Sequence, residues 1–448
     1  MKTLLRKPYL FRTAAISSLY LACSISANQA FASKESPPGS LTICWAKWDP
    51  ANALKEISKT FTKQTGIRIK YELEPWTSYT ARFQKSLNEK SQECDIIFGD
   101  SQWLGGAVEK GHYVKLNDFL DREKISLDGF VPATVEAYST WPKGTKNYWA
   151  IPAMGDAVGW TYRKDWFNRR ELKEEFQQTY GWSLERPRSW NELVDIANFF
   201  QGRIIDGKKV YGAAIYTEGQ AEGITMGFTS AFHAWGAQLH SPNNTSTIDG
   251  FVNSPKAITA LKAYRELYEC CSPPKHNNSY MLSNLESYKT EQVAMHMNFF
   301  AFFPGIHKDP VVGGDKTGYF SNPEHHAVAS TLGGQGASIV AHSEKRELAY
   351  EYLKWFSTPR TQKIWWSKGG YSVHTSVMEN PWFPTTQPFA EEFLKAMATA
   401  KDFWQSPNYE ELLSVMQKHV YQYVIKGEGT AADALNKVAI EWEGMTEN

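Results

Sequence analysis

Acidic and aromatic side chains stand in pairs just after three strand-like runs near the start of the chain. The pairs are Trp48 with Asp49, Glu74 with Trp76, and Asp100 with Trp103. A carboxylate accepts hydrogen bonds from hydroxyl groups, and an aromatic face packs against the C–H face of a sugar ring. The same carboxylates would repel a phosphate. The pairs therefore indicate a site for a hydroxyl-rich ligand, a cationic ligand or a metal ion.

The elements that carry these pairs alternate between strand and helix. The runs at 41–46, 67–73 and 94–99 predict strands, and the stretches between them predict helices. This alternation is typical of a parallel sheet covered by helices, in which ligands bind outside the carboxyl ends of the strands. Asp49 is also expected to cap the first helix, and the tryptophans could instead pack in the core.

The later part of the chain predicts a second lobe. The run at 147–167 predicts two strands split at Met154-Gly155-Asp156, where the chain leaves the first lobe. Residues 325–340 predict a return to it, and residues 367–377 a second return. Several crossings between two discontinuous lobes would form a hinge. The predicted divisions are residues 33–152 with about 325–370 for the N-terminal lobe, and about 153–324 with 371–448 for the C-terminal lobe.

The N-terminus predicts export. Residues 1–32 carry four basic residues and no acid, and a short apolar run precedes a small-x-small pattern that ends at Ala32. This pattern is typical of a signal peptide cleaved after Ala32, and lipid attachment at Cys23 is disfavoured by its lead-in sequence. The mature chain would carry four more acidic than basic residues. A mildly acidic chain without basic blocks disfavours nucleic acid as a partner, and the periplasm is the expected location.

Four cysteines follow the predicted cleavage site, and four allow three pairings. Disulfides persist outside the cytoplasm. Cys44 lies in the first predicted strand and Cys94 opens the third, and the strand order 2-1-3 would make these strands neighbours. A bridge between them is therefore feasible. Cys270 and Cys271 could form a vicinal disulfide or stay free.

Signatures of catalysis and of metal binding are absent from the sequence. It contains no GxSxG, HExxH or P-loop motif, and "GGDKTG" at 313–318 has the wrong spacing for a phosphate loop. His325 and His326 are adjacent, so their side chains diverge in extended structure. The sequence therefore predicts a binding protein rather than an enzyme, with no cofactor and no metal.

Five longer segments resemble one known family. In order along residues 40–448 they are FTKQTGIRIKYE, CDIIFGDSQWLGGAVEKGHYVKLNDFL, YWAIPAMGDAVGWTYRKDWF, EQVAMHMNFF and GGQGASIVAHSEKRELAYEYLKWFST. Together they resemble the sugar-type (family 1) extracellular solute-binding proteins of bacterial ABC importers, which include maltose-binding protein. The resemblance implies an α/β, two-lobed, type II periplasmic-binding-protein fold with a ligand cleft and a hinge between the lobes.

The resemblance also implies a set of ligand contacts. Phe299 and Phe300 stand where relatives often place a stacking tryptophan. Trp103 is expected to contact the ligand, so that removing it would weaken binding and barely change the stability of the unliganded protein. The acids differ from those of maltose binders, so maltodextrin is not implied. The expected ligand-binding residues are Trp48, Trp76, Asp100, Trp103, Asp156, Glu218, Trp235, Phe299, Phe300, Gly334, Gln335 and Tyr371.

The expected function is therefore transport. A monomeric periplasmic protein would capture a small polar solute, with a sugar or polyol as the favoured class, and deliver it to the permease subunits of an ABC transporter. The ligand would bridge the lobes and shift the population towards the closed state. Two alternatives are the same fold binding a cationic solute or metal ion, and an exported carbohydrate-active enzyme.

Overall fold

One mixed sheet of nine strands organises the chain, and a separate two-stranded hairpin lies beside it. The computed structural model describes residues 39–446, so the predicted signal peptide lies outside the described residues. The strands are β1 (Ser40–Ala46), β2 (Arg68–Glu74), β3 (Ile96–Asp100), β4 (Ile151–Arg163), β5 (Ile204–Ile205), β6 (Lys208–Lys209), β7 (Tyr211–Ala214), β8 (Val293–Phe299), β9 (Thr317–Ser321), β10 (Ser330–Ile339) and β11 (Ala400–Lys401).

Helices cover the sheet. The first nine are α1 (Asp49–Thr65), α2 (Trp76–Asn88), α3 (Leu104–Glu109), α4 (Asn117–Glu123), α5 (Pro132–Ser139), α6 (Lys164–Phe167), α7 (Arg170–Tyr180), α8 (Trp190–Phe200) and α9 (Gly223–Ala234). The next nine are α10 (Pro255–Cys271), α11 (Met281–Lys289), α12 (Phe303–His307), α13 (Arg346–Phe356), α14 (Pro359–Ser367), α15 (Thr375–Met378), α16 (Ala390–Thr399), α17 (Tyr409–Val424) and α18 (Ala431–Thr446). Short 3₁₀ helices lie at Ser101–Trp103, Leu127–Gly129, Phe300–Phe302, Gly314–Lys316 and Phe383–Thr385.

The first half of the sheet has the predicted parallel order. β1 lies between β2 and β3 and pairs with both in parallel. The carboxyl ends of the three strands therefore meet at one edge, where the acidic and aromatic pairs follow them. The capping role predicted for Asp49 is wrong, because Trp48 is the N-cap of α1 and no side-chain cap hydrogen bond forms.

A single strand crosses the middle of the sheet where the sequence predicts two. β4 continues through Met154, Gly155 and Asp156, because each of these residues is paired with a residue of β10. Farther along, β4 pairs with β8 and β9. β4 and β10 thus join the half that contains β1 to the half that contains β7 and β8. The predicted lobe boundaries stay predictions.

A disulfide joins β1 to the segment just before β3. Cys44 is bonded to Cys94, with 5.7 Å between their Cα atoms. Cys270 and Cys271 form a vicinal disulfide at the end of α10. Both pairings that the sequence left open are therefore present.

Removing the Cys44–Cys94 bridge is expected to lower the free energy of unfolding by about 2–4 kcal/mol, because the bridge restricts the unfolded chain. The bridge spans 50 residues, whereas the vicinal bridge spans one. The test is urea denaturation of the double variant Cys44→Ala, Cys94→Ala, with Cys270→Ala, Cys271→Ala as the matched control. Equal losses in the two variants would contradict a loop-closure origin.

Candidate functional site

A cleft lies at the carboxyl ends of β1, β2 and β3 and reaches across β4 and β10 to the starts of α9 and α11. It contains about 360 Å³ of empty space, including the part open to solvent. The lining residues are Trp48, Trp76, Asp100, Gln102, Asp156, Glu222, Met226, Tyr280, Met281, Phe299, Leu332, Gly333, Gly334 and Gln335.

Seven of the twelve predicted contact residues line this cleft, and five do not. Those that line it are Trp48, Trp76, Asp100, Asp156, Phe299, Gly334 and Gln335. Those that lie elsewhere are Trp103, Glu218, Trp235, Phe300 and Tyr371. The structure thus brings most of the predicted set together, and contact of any of them with a ligand stays a prediction.

Trp103 lies behind the cleft wall. Its ring stacks on Trp76 with 5.7 Å between centroids, and Trp76 stacks in turn on Trp48 at 5.9 Å. Tyr79 packs against Trp103 at 5.3 Å, and only 6% of Trp103 is exposed. Trp103 therefore supports the ring of Trp76, and it lines a neighbouring pocket together with Trp76 and Glu222. Its contact with a ligand stays a prediction.

The other residues that lie elsewhere have partners of their own. Trp235 stacks on His325 with 4.0 Å between centroids. Phe300 packs against Phe303, and the hydroxyl of Tyr371 donates to the carbonyl oxygen of Phe300. These aromatic residues are buried in the second half of the structure and do not face the cleft.

Asp156 presents one free oxygen to the cleft. It is 2% exposed, and its Oδ1 accepts hydrogen bonds from the backbone N–H groups of Ala157 at 2.9 Å and Ala301 at 3.3 Å. Its Oδ2 has no hydrogen-bond partner among the described residues. Burial raises the pKa of Asp156 well above its ordinary value, although the backbone N–H groups favour the ionised form.

Asp100 has a similar arrangement at the end of β3. It is 8% exposed, and its Oδ1 accepts a hydrogen bond from the backbone N–H of Gln102 at 3.4 Å. The hydroxyl of Ser101 lies 3.2 Å from the same oxygen. Oδ2 has no partner within residues 39–446. Burial, followed by the charges of Glu222 and Asp402, raises the pKa of Asp100.

Glu222 is a cleft acid that the sequence analysis missed. Its Oε1 accepts hydrogen bonds from Nε1 of Trp76 and from the hydroxyl of Tyr280, both at 2.7 Å. Glu218, which the sequence predicts from the same loop, instead accepts hydrogen bonds from the backbone N–H groups of Ala221 and Gly223. Nothing in the sequence indicates which of these two glutamates, four residues apart in one loop, faces the cleft.

The β10 segment places an amide and a glycine against the cleft. Nε1 of Trp45 donates to Oε1 of Gln335 at 3.0 Å, which fixes the amide orientation. Gly334 has φ of 109°, and a Cβ there would lie 2.4 Å from the Tyr138 hydroxyl oxygen and 2.5 Å from the carbonyl oxygen of Met154. Only glycine fits this position without a shift of its neighbours.

Asp402 lies beside the cleft on the segment between β11 and α17. Its Oδ1 accepts a hydrogen bond from the side-chain amide of Gln102 at 3.3 Å, and its Oδ2 is buried with no partner among the described residues. It also faces a larger groove of about 2120 Å³ of empty space, open solvent included, lined in part by Lys143 and Trp404. Burial raises the pKa of Asp402 to about 7.

The raised pKa of Asp402 predicts a pH-dependent stability. The unfolded carboxyl loses its proton near pH 4, whereas the folded one keeps it to about pH 7. The stability that this proton provides is fully present below about pH 4 and is lost as pH rises to about 7, at about 1 kcal/mol per pH unit. We expect Asp402→Asn to flatten the fall in unfolding free energy between pH 5 and pH 7, measured by urea denaturation. Parallel curves for the variant, the wild type and the exposed control Asp315→Asn would contradict this assignment.

Neither a metal cluster nor a membrane span is found in the described residues. No three His, Cys, Asp or Glu side chains between residues 39 and 446 are placed to hold a metal ion together. No helix in the same part of the chain has the length and hydropathy that crossing a bilayer requires.

A family model identifies the family of the chain, and similar solved structures identify its fold. The model of a family described as bacterial extracellular solute-binding protein matches residues 47–363. A solute-binding protein of an ABC transporter from Agrobacterium radiobacter K84, in complex with ribitol, superposes with a TM-score of 0.75 at 20% identity over 92% of this chain and 100% of that chain. Maltose-bound MalE3 of T. maritima superposes with a TM-score of 0.75 at 21% sequence identity, over 91% of this chain and 100% of that chain. A solute-binding protein of Thermotoga lettingae TMO, bound with α-D-tagatose, superposes with a TM-score of 0.75 at 20% sequence identity, over 91% of this chain and 99% of that chain. The predicted two-lobed α/β fold is therefore confirmed.

Proposed function

Because the chain belongs to the bacterial extracellular solute-binding proteins, we propose that its cleft captures a small sugar or polyol and that the protein delivers this ligand to the permease subunits of an ABC importer. The observation that carries the proposal is a pair of buried carboxylates in an aromatic-walled cleft. Asp100 and Asp156 each have one oxygen held by the chain and the other without a partner among the described residues. A carboxylate oxygen without a partner can accept a hydrogen bond from a ligand in the cleft.

Hydroxyl groups can pair with both the hydrogen-bond acceptors and the donor that the cleft leaves without partners. The free oxygens of Asp100 and Asp156 accept, whereas Nε1 of Trp48 is buried and has no acceptor within the described part of the chain. A hydroxyl group both donates and accepts, so a ligand with several hydroxyls can serve all three atoms. A bare metal ion would leave the Trp48 donor unsatisfied. The rings of Trp48, Trp76 and Phe299 offer apolar surface for the C–H groups of the same ligand.

Similar structures support the ligand class. Ribitol is a polyol, and maltose and tagatose are sugars, and each is bound in one of the structures named above. Binding of such a ligand would need no covalent chemistry by the protein.

The two halves of the structure both contribute to the cleft, which supports a closure mechanism. Trp76 follows β2, whereas Glu222 and Tyr280 precede α9 and α11 in the second half. The hydrogen bond from Trp76 to Glu222 already joins the two sides. A ligand that bridges both sides would bind the closed state better than the open state and so raise its population. The permease would distinguish the two states.

Three further features belong to the same proposal. The protein would be exported by the signal peptide predicted at residues 1–32 and would act in the periplasm. It would bind the permease as a monomer. It would not be an enzyme, so no product would accumulate when it is incubated with sugars.

The test is isothermal titration calorimetry with pentitols, hexitols, monosaccharides and disaccharides, together with polyamines and divalent metal ions. We expect saturable binding of at least one sugar or polyol at a stoichiometry of one. Tight binding of a polyamine or metal ion, with no response to any sugar or polyol, would overturn the proposal. Turnover of any carbohydrate would instead favour an exported carbohydrate-active enzyme.

A further inference from the structure

Apart from the phenol of Tyr280, the ionisable side chains that line the cleft are carboxyl groups. Three carboxylates, Asp100, Asp156 and Glu222, face it, and of the described residues no lysine, arginine or histidine lines it. In a buried site, like charges without a counter-ion are costly, because the low effective dielectric strengthens their repulsion. A neutral sugar can donate hydrogen bonds to such groups, but it adds no compensating charge.

We propose that the ligand of this cleft carries a protonated amine beside its hydroxyl groups, and that Asp100 binds the amine. The inference rests on the proposed function and narrows its ligand class from sugars and polyols in general to amino sugars or amino polyols. Asp156 and the indole of Trp48 would then bind hydroxyl groups of the same molecule.

Asp100 is the carboxylate that most needs a cation. Glu222 is already held by the donors of Trp76 and Tyr280, and Asp156 accepts two backbone N–H groups. Asp100 accepts one long backbone hydrogen bond and shares the Ser101 hydroxyl with Asp402. Its Oδ2 lines the cleft without a partner among residues 39–446.

The groups that surround Asp100 make its charge harder to maintain. The acids Glu222 and Asp402 and the phenols of Tyr79, Tyr138 and Tyr409 interact with it electrostatically, and no cation is among them. Burial and the two acids raise the pKa of Asp100 well above its ordinary value. An ammonium group beside Oδ2 would offset both acids and stabilise the ionised form of Asp100.

The aromatic walls also favour an organic cation over a metal ion. An ammonium group is attracted to the faces of tryptophan and phenylalanine, and Trp48, Trp76 and Phe299 line the same cleft. A metal ion needs several ligands close together, and no three acidic, histidine or cysteine side chains of the described chain converge in this way. An ammonium carries three N–H donors on a carbon skeleton that can pack on the rings.

The test compares matched ligands on the whole mature protein. Glucose, galactose and mannose are each titrated beside the 2-amino and N-acetylamino derivatives, and sorbitol beside its 1-amino derivative. We expect at least one amine to bind ten or more times more tightly than both its neutral parent and, where there is one, its N-acetyl derivative.

Substitutions test which carboxyl group binds the amine. Asp100→Asn should abolish the preference for the amine, because an amide carries no charge. Glu379→Gln, an exposed residue outside the cleft, changes the net charge equally and should leave the preference unchanged. If Asp100→Asn does not fold, Glu222→Gln should reduce the preference, and the ligand comparison on the wild type needs no variant.

The outcomes separate this inference from the proposed function. Neutral sugars or polyols that bind as tightly as their amines, or an amine preference that survives Asp100→Asn, would overturn the inference and leave the proposed function standing. If no neutral or amino member of the panel binds, the proposed function fails and the inference fails with it.

Discussion

Trp103→Ala is expected to lower the free energy of unfolding of the unliganded protein by about 3–5 kcal/mol. Trp103 is 6% exposed and packs between Trp76 and Tyr79. Removing the indole would leave a cavity beneath Trp76, and the neighbouring strand and helix cannot close it completely. Urea denaturation of the ligand-free variant measures the loss.

Trp103→Phe is the matched control. Because it keeps an aromatic ring in the stack, it should lower the free energy of unfolding less than Trp103→Ala does. Ligand affinity is expected to fall in Trp103→Ala as a secondary effect, because Trp76 loses its support. The opposite pattern is an unchanged free energy of unfolding with a tenfold or greater loss of affinity. That pattern would show that Trp103 contacts the ligand. That pattern is what the sequence analysis expected.

Asp156→Asn is expected to weaken ligand binding by about 10- to 100-fold, because leaving a ligand hydroxyl without its acceptor costs about 1–3 kcal/mol. The amide oxygen of asparagine can still accept from the backbone N–H groups of Ala157 and Ala301, so the local fold should persist. The amide nitrogen would face the cleft in place of Oδ2, where it cannot accept from a ligand hydroxyl. Calorimetry with the ligand found in the panel measures the change.

Two comparisons sharpen this result. Asp156→Ala should lose affinity and also about 1–3 kcal/mol of stability for each backbone N–H left without an acceptor. Asp315→Asn, an exposed acid away from the cleft, should change neither property. Unchanged affinity in Asp156→Asn would mean that Asp156 serves only to hold the Ala301 segment against β4.

The sequence by itself determined the fold class and much of one side of the cleft. The alternation of strands and helices predicted the parallel arrangement of β1, β2 and β3, and the structure has it. Once that order is known, Trp48, Trp76 and Asp100 must stand at one edge, because they follow the carboxyl ends of neighbouring strands. Local periodicity and chain connectivity were enough for this part.

Only the tertiary structure decided which residues line the other side of the cleft and which aromatic rings lie behind its lining. Glu222 rather than Glu218 faces the cleft, because the turn itself takes up the carboxylate of Glu218. Trp103 lies behind Trp76, because helix α2 brings Trp76 across it. β4 continues through Met154-Gly155-Asp156, because β10 pairs with it from almost two hundred residues away. Each of these outcomes depends on contacts between distant segments, and the residues near each position in the sequence do not specify them.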